Sequence, residues 1–83
     1  QIQSFVNGKL RQSSHTSKMI FDCQTIVSYL SDYMTLQPGD LIFTGTPAGV
    51  ILGYPPEKQQ WLRHGDEVTI KIEKIGELTN RLI

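Results

Sequence analysis

A single cysteine, Cys23, stands in the sequence, so neither an internal disulfide nor a thiolate-paired zinc site is open to it. Packing has to hold the chain, and it reads as a protein of a reducing compartment, with the cytoplasm as the expected setting. An excess of either charge is also lacking, since eight Lys and Arg balance eight Asp and Glu. That balance speaks against a nucleic-acid binder, which shows a basic excess or stripe, and no run of like charges marks an interaction tail. No apolar stretch approaches the roughly 20 residues needed to cross a bilayer. Gln1-Ile2-Gln3-Ser4 carries no basic-then-apolar leader pattern, and a start on Gln1 leads us to expect a chain cut from something longer. Its 83 residues make at most one small domain, of a size that buries only about 60–65% of its unfolded surface.

What is present reads as short strands around one helix. Phe5-Val6-Asn7-Gly8-Lys9-Leu10 places Asn-Gly between apolar flanks; both residues tolerate the positive φ that a two-residue type I′ turn demands, which predicts a hairpin. Residues 12–18 are polar and read as a loop. Asp22 is a candidate N-cap, and apolar residues at 23, 26, 27, 30, 33 and 34 recur with helical spacing. Packing is the reading for Tyr29, Tyr33 and Met34. A turn at Pro38-Gly39-Asp40 feeds the apolar run Leu41–Thr44, read as a mostly buried strand. The connection 51–61 contains Pro55-Pro56, which disfavours helix at its start. Leu62-Arg-His64-Gly65-Asp66 repeats the earlier leucine, two residues and Gly-Asp, so the two sites share one kind of entry turn. Val68, Ile70 and Ile72 then alternate with polar residues, giving a strand with one buried and one wet face. Ile75-Gly76 predicts a bulge or turn before a last strand, Glu77–Leu82. The fold class expected is mixed α/β, mostly β, with one amphipathic helix and a sandwich- or barrel-like sheet. The element count is low for a closed structure, so something else covers the remaining faces.

Chemistry is concentrated in Thr44-Gly45-Thr46-Pro47-Ala48-Gly49. A glycine-rich turn at a strand end lets a ligand approach the backbone, with amides and a hydroxyl as donors; the same residues also suit a purely structural turn. No Lys-Ser/Thr follows the glycines, so this is not a phosphate-binding loop of the Walker type, and Pro55-Pro56 argues against a dinucleotide fingerprint. The carboxylates show no paired spacing, and Asp40 and Asp66 follow turn glycines where aspartates satisfy local amides; no metal ligand is expected from this chain. His15 and His64 read as exposed and inert, with His15 the more interesting because its loop can reach a pocket at the strand ends. Cys23 lies on the apolar stripe of the helix, which favours a buried, structural role. The spacing offers no nucleophile–base constellation.

Val6-Asn7-Gly8-Lys9-Leu10-Arg11-Gln12, Thr16-Ser17-Lys18-Met19-Ile20-Phe21, Tyr29-Leu30-Ser31, the stretch Leu36–Val50, His64-Gly65-Asp66-Glu67-Val68 and Ile75–Arg81 follow one another in order along nearly the whole chain. Together they resemble the fumarylacetoacetate hydrolase family. The connection Val50–Leu62 is similar to the branch of bacterial 2-hydroxyhepta-2,4-diene-1,7-dioate isomerases and 5-oxopent-3-ene-1,2,5-tricarboxylate decarboxylases. The resemblance implies a β-sandwich roll, of which residues 1–83 form the C-terminal portion of one catalytic domain. It further implies a homodimer, a bound Mg²⁺ or Mn²⁺, and a 2-oxo or β-dicarbonyl acid substrate turned over by isomerisation, hydration, decarboxylation or C–C hydrolysis. Thr46 matches the family's substrate-contacting threonine, with Thr44 and Gly45 beside it as further substrate-binding positions. The family's Glu-x-Glu metal ligands and its lysine belong to sequence upstream of Gln1, so this chain by itself is expected to be inactive. Ser13-Ser14-His15 replaces the Asp-Gly-Asn of many members, which bears on the shape of the pocket. The alternative is a small β-rich binding or assembly module that keeps the scaffold without the chemistry.

Overall fold

The computed structural model describes all 83 residues, Gln1–Ile83. Strands β1 (Ile2–Val6) and β2 (Lys9–Ser14) form the expected hairpin. Asn7 and Gly8 adopt φ of 50° and 79°, the left-handed conformation that a type I′ turn needs at both central positions. The Asn7 side chain has a second task. Its Oδ1 accepts from the Glu67 amide at 2.9 Å and its Nδ2 donates to Asp66 Oδ1 at 3.0 Å, so the hairpin tip is tied to the start of β3 (Glu67–Ile72). β1 pairs with β3, which pairs with β4 (Gly76–Arg81), giving one antiparallel sheet in the order β2-β1-β3-β4. The β3–β4 join is a tight turn with Lys74 at φ 67° and Gly76 at φ 127°, where the sequence called for a bulge or turn.

The register assigns the two faces. Ile2, Ser4 and Val6 stand opposite Ile72, Ile70 and Val68, an apolar face interrupted by one serine. Phe5, Thr69 and Lys71 occupy the other face. Here Thr69 and Thr79 hydroxyls meet at 2.8 Å, Lys71 pairs with Glu77 at 3.5 Å, and Lys71 also lies over the Phe5 ring. Exposed ion pairs of this kind add little stability; they mark the wet side. The register slips between Ser4 and Phe5, with Ser4 opposite Gln12 and Phe5 opposite Leu10, so Arg11 is the extra residue of a β-bulge that bends β2.

Helix α1 (Cys23–Ser31) starts where the sequence placed it, with Asp22 accepting from the Thr25 amide at 2.7 Å. The anticipated common entry turn is present twice. Gly39 and Gly65 have φ of 94° and 88°, and Asp40 and Asp66 accept from the amides of Gln37 and Arg63, each at 2.8 Å. Asp66 is held below the usual carboxylate range by hydrogen bonds from the Asn7 side chain and the Arg63 amide, assisted by the Arg63 charge. A carboxylate whose folded pKa is depressed contributes stability above its unfolded pKa, about 3.9, and loses it as pH falls through the folded value. We therefore expect the melting temperature of the full-length protein to drop on acidification below about pH 4. Asp66→Asn, which cannot titrate, should show a shallower acid limb in melts between pH 3 and 6; an unchanged slope would refute this assignment.

Three expectations are corrected. Leu41–Thr44 belongs to no strand and is exposed, not mostly buried: Leu41 is 81% and Phe43 92% accessible. An apolar strand needs a ladder and a covering layer, and this chain supplies neither there. The helix ends at Ser31 and not at Met34, and Tyr29, Tyr33 and Met34 are exposed, the two tyrosines touching only each other among aromatic pairs at 5.1 Å between ring centroids. Cys23 is exposed for the same reason, since no element covers that side of the helix. The sheet is a single open antiparallel layer accompanied by one helix, as expected of a mostly-β fragment of a larger β-sandwich roll. The connection after Val50 makes two short 3-10 turns, Ile51–Gly53 and Pro56–Lys58, the second opened by proline.

No residue of the chain is fully buried, and its accessible surface is 7210 Å², against about 5,000 Å² for a compact protein of this mass. The radius of gyration, 15.7 Å, likewise exceeds the roughly 12 Å of a closed 83-residue domain. The apolar sheet face and the helix stripe are formed but only half covered.

Candidate functional site

Two hollows adjoin the apolar sheet face. The larger, about 860 Å³, lies between Val6, Val68 and Ile70 of the sheet and Trp61 and Leu62 of the long connection. Its lining is what an uncovered core offers. The second, about 640 Å³, joins Thr44, Gly45 and Thr46 with Thr16 and Lys18 and with His15, beside apolar Ile2 and Phe21. A concave site with an apolar floor and a few convergent polar groups is the usual form of a small-molecule pocket. All three residues singled out in the sequence, Thr44, Gly45 and Thr46, therefore line one cavity, and the loop carrying His15 reaches it.

The polar groups there are of one kind. Thr16 and Thr46 offer hydroxyls, Lys18 a cation, and Gly45, at φ 91° with open space around its Cα, lets a ligand approach the backbone. His15 Nδ1 accepts from the Ser17 amide at 3.1 Å and lies 3.0 Å from the Ser17 hydroxyl, capping the 3-10 turn Thr16–Lys18. That leaves its Nε2 as the ring atom free for other partners. His64 stays in an exposed turn away from this cavity. The set suits an anionic or keto-bearing organic ligand. It does not suit a divalent cation, because no three His, Cys, Asp or Glu side chains cluster anywhere in the chain, and hard cations require several oxygen ligands together.

Sequence reasoning missed Gln12 as a partner of this loop, and it marked Gly49 as part of the loop without its packing role. Gln12 donates through Nε2 to Thr46 Oγ1 at 2.7 Å and to the Pro47 carbonyl at 3.0 Å. Gly49, at φ 109°, passes so close to β2 that an added Cβ would meet the Arg11 carbonyl oxygen and lie 2.9 Å from Gln12 Cγ. The available signal was weak: a glutamine on an apolar strand face, and a second glycine in one loop.

The chain matches the family model described as fumarylacetoacetate (FAA) hydrolase C-terminal over residues 1–83. It is 43% identical over 82 residues to the 4-hydroxyphenylacetate degradation bifunctional isomerase/decarboxylase of Escherichia coli, covering 99% of this chain and 17% of that protein. It is 46% identical over 82 residues to the oxaloacetate tautomerase YisK of Bacillus subtilis, covering 99% of this chain and 27% of that protein. Among solved structures, fumarylacetoacetate hydrolase from the psychrophile Exiguobacterium antarcticum superposes with a TM-score of 0.88 at 44% identity, over 98% of this chain and 28% of that one. The chain thus spans less than a third of the relatives it matches. A hairpin, helix and four-stranded sheet in this order, a full-length family match and a close superposition at this identity lead to one conclusion: the chain belongs to the fumarylacetoacetate hydrolase family.

Proposed function

We propose that these 83 residues form one wall of the substrate pocket of a divalent-metal-dependent enzyme acting on 2-oxo or β-dicarbonyl acids. The observation carrying this reading is the cavity that joins the Thr44-Gly45-Thr46 loop to Thr16 and Lys18. Family membership supports it, since relatives named as an isomerase/decarboxylase and as an oxaloacetate tautomerase imply chemistry next to a keto group. In such reactions a C–H or C–C bond breaks to leave an enolate, and groups that fix the acid's oxygens lower the barrier by orientation and by stabilising developing charge.

Thr46 would donate its hydroxyl hydrogen to an oxygen of the acid, Gly45 would expose backbone to it, and Lys18 would attract its negative charge from the rim. The metal implied by the family, Mg²⁺ or Mn²⁺, would be held by carboxylates outside these residues and would polarise the 2-oxo acid's oxygens. A homodimer and a cytoplasmic setting complete the reading, resting on the family resemblance and on cysteine usage.

The test is Thr46→Ala in the full-length, metal-loaded protein, assayed with oxaloacetate, after the tautomerase relative, and with 5-carboxymethyl-2-hydroxymuconate, after a solved isomerase from Mycobacterium smegmatis that is 41% identical to this chain. Loss of one donor to a developing oxyanion typically costs about 10²-fold or more in turnover. We expect kcat/KM on the accepted substrate to fall by about 10- to 100-fold with the melting temperature nearly unchanged. A rate equal to wild type would favour a structural loop with no part in substrate binding.

A further inference from the structure

The apolar face of the sheet is interrupted at Ser4 and Gln12, which stand opposite each other on β1 and β2. Ser4 Oγ donates to Gln12 Oε1 at 3.0 Å, and Gln12 Nε2 donates to Thr46 Oγ1 at 2.7 Å and to the Pro47 carbonyl at 3.0 Å. The orientation of the Gln12 amide is determined by its partners. A backbone carbonyl only accepts, so the nitrogen has to face Pro47, and the oxygen is left for the Ser4 hydroxyl. Both Nε2 hydrogens are then used.

This direction matters for Thr46. A hydroxyl has one hydrogen to give and two lone pairs to receive. Because Gln12 only donates toward it, Thr46 receives there and its single hydrogen is free to turn into the cavity. We infer that Gln12 is a positioning residue, which sets Thr46 as a hydrogen-bond donor toward an anionic or keto oxygen of the bound acid and is itself oriented by Ser4. The arrangement depends on the β-bulge at Arg11, which bends β2 beside this loop. Gly49 allows the loop to lie against that bend. The inference rests on the pocket reading above.

Gln12→Glu tests it, because a carboxylate of the same shape accepts where the amide donates. It would take the Thr46 hydrogen for itself and repel the Pro47 carbonyl. In the full-length, metal-loaded protein, we expect kcat/KM on the substrate accepted in the Thr46 assay to fall by about 10- to 100-fold. The Kd for oxalate, a non-reacting dicarboxylate measured by calorimetry, should rise by a similar factor. In the double variant Gln12→Glu/Thr46→Ala the losses should not multiply, because both act on one hydroxyl. Where Gln12→Glu does not yield folded protein, Gln12→Met keeps the length, removes both donors and gives the same cycle.

The outcomes separate the two claims. Wild-type turnover in Thr46→Ala overturns the pocket reading and this inference with it. An impaired Thr46→Ala beside a fully active Gln12 variant overturns the positioning role alone. So does a double variant whose losses multiply, or a loss of turnover without weaker oxalate binding.

Discussion

The 83-residue chain, expressed by itself, is expected to melt without a cooperative transition, to bind a hydrophobic dye such as ANS, and to show no metal-dependent turnover. Its accessible surface, 7210 Å², exceeds that of a compact protein of the same mass by about 2,200 Å². If only half of that excess is apolar, about 25 cal/mol per Å² corresponds to roughly 25–30 kcal/mol of burial that the chain does not achieve. The whole net stability of a small domain is about 5–15 kcal/mol. The backbone ladders of the sheet and the capped helix do not offset that shortfall, because a compact domain of this size makes at least as many hydrogen bonds and still keeps only that small net stability. Calorimetry and near-ultraviolet circular dichroism would check this. A sharp transition at a concentration-independent temperature would show that the chain is stable without further cover.

Gly49→Ala is expected to be the most damaging small substitution in the site loop of the full-length protein. The backbone there has φ 109°, a conformation that costs an L-residue about 1–3 kcal/mol. The new methyl would also meet the Arg11 carbonyl and Gln12 Cγ. A backbone carbonyl in a paired strand cannot retreat without disturbing the β1–β2 ladder, so the loop has to lift instead, and the Gln12 contacts with Thr46 and Pro47 go with it. We expect a melting-temperature drop of several degrees together with a loss of turnover of at least about 10-fold. Gly39→Ala is the control. Its φ of 94° carries a comparable backbone penalty, but nothing lies within 4 Å of an added Cβ. Equal losses of turnover in the two variants would mean that backbone conformation, and not the docking of the loop on β2, is what matters at Gly49.

Much of the local structure was legible because local chemistry decides it. Asn7-Gly8 specifies a left-handed two-residue turn, Asp22 an N-cap, and the two Gly-Asp sites the same amide-satisfying turn. Leu41–Thr44 misled for a different reason. Its apolar run correctly marks a segment made to be covered, yet a strand exists only when a neighbour completes its ladder, and none of this chain's strands does so. Cys23, Tyr33 and Met34 follow the same logic, since a helical apolar stripe states a preference for burial and not the presence of a cover. Thr44, Gly45 and Thr46 were singled out through their residue types and the family resemblance, and the fold places all three on one cavity. Gln12 was not singled out, because its role depends on a partner 34 positions away that only the folded hairpin brings near.

The sequence by itself determined the turns, the caps, the alternation of β3 and the family, because each rests on neighbours in the chain or on an ordered series of motifs. Tertiary structure alone decided which face Ser4 and Gln12 share, that the bulge at Arg11 lies against Gly49, and that Thr46 receives a hydrogen bond and so keeps its own hydrogen to give. Those are statements about direction and distance between segments remote in sequence, and side-chain identity carries them only after the strands have chosen their register.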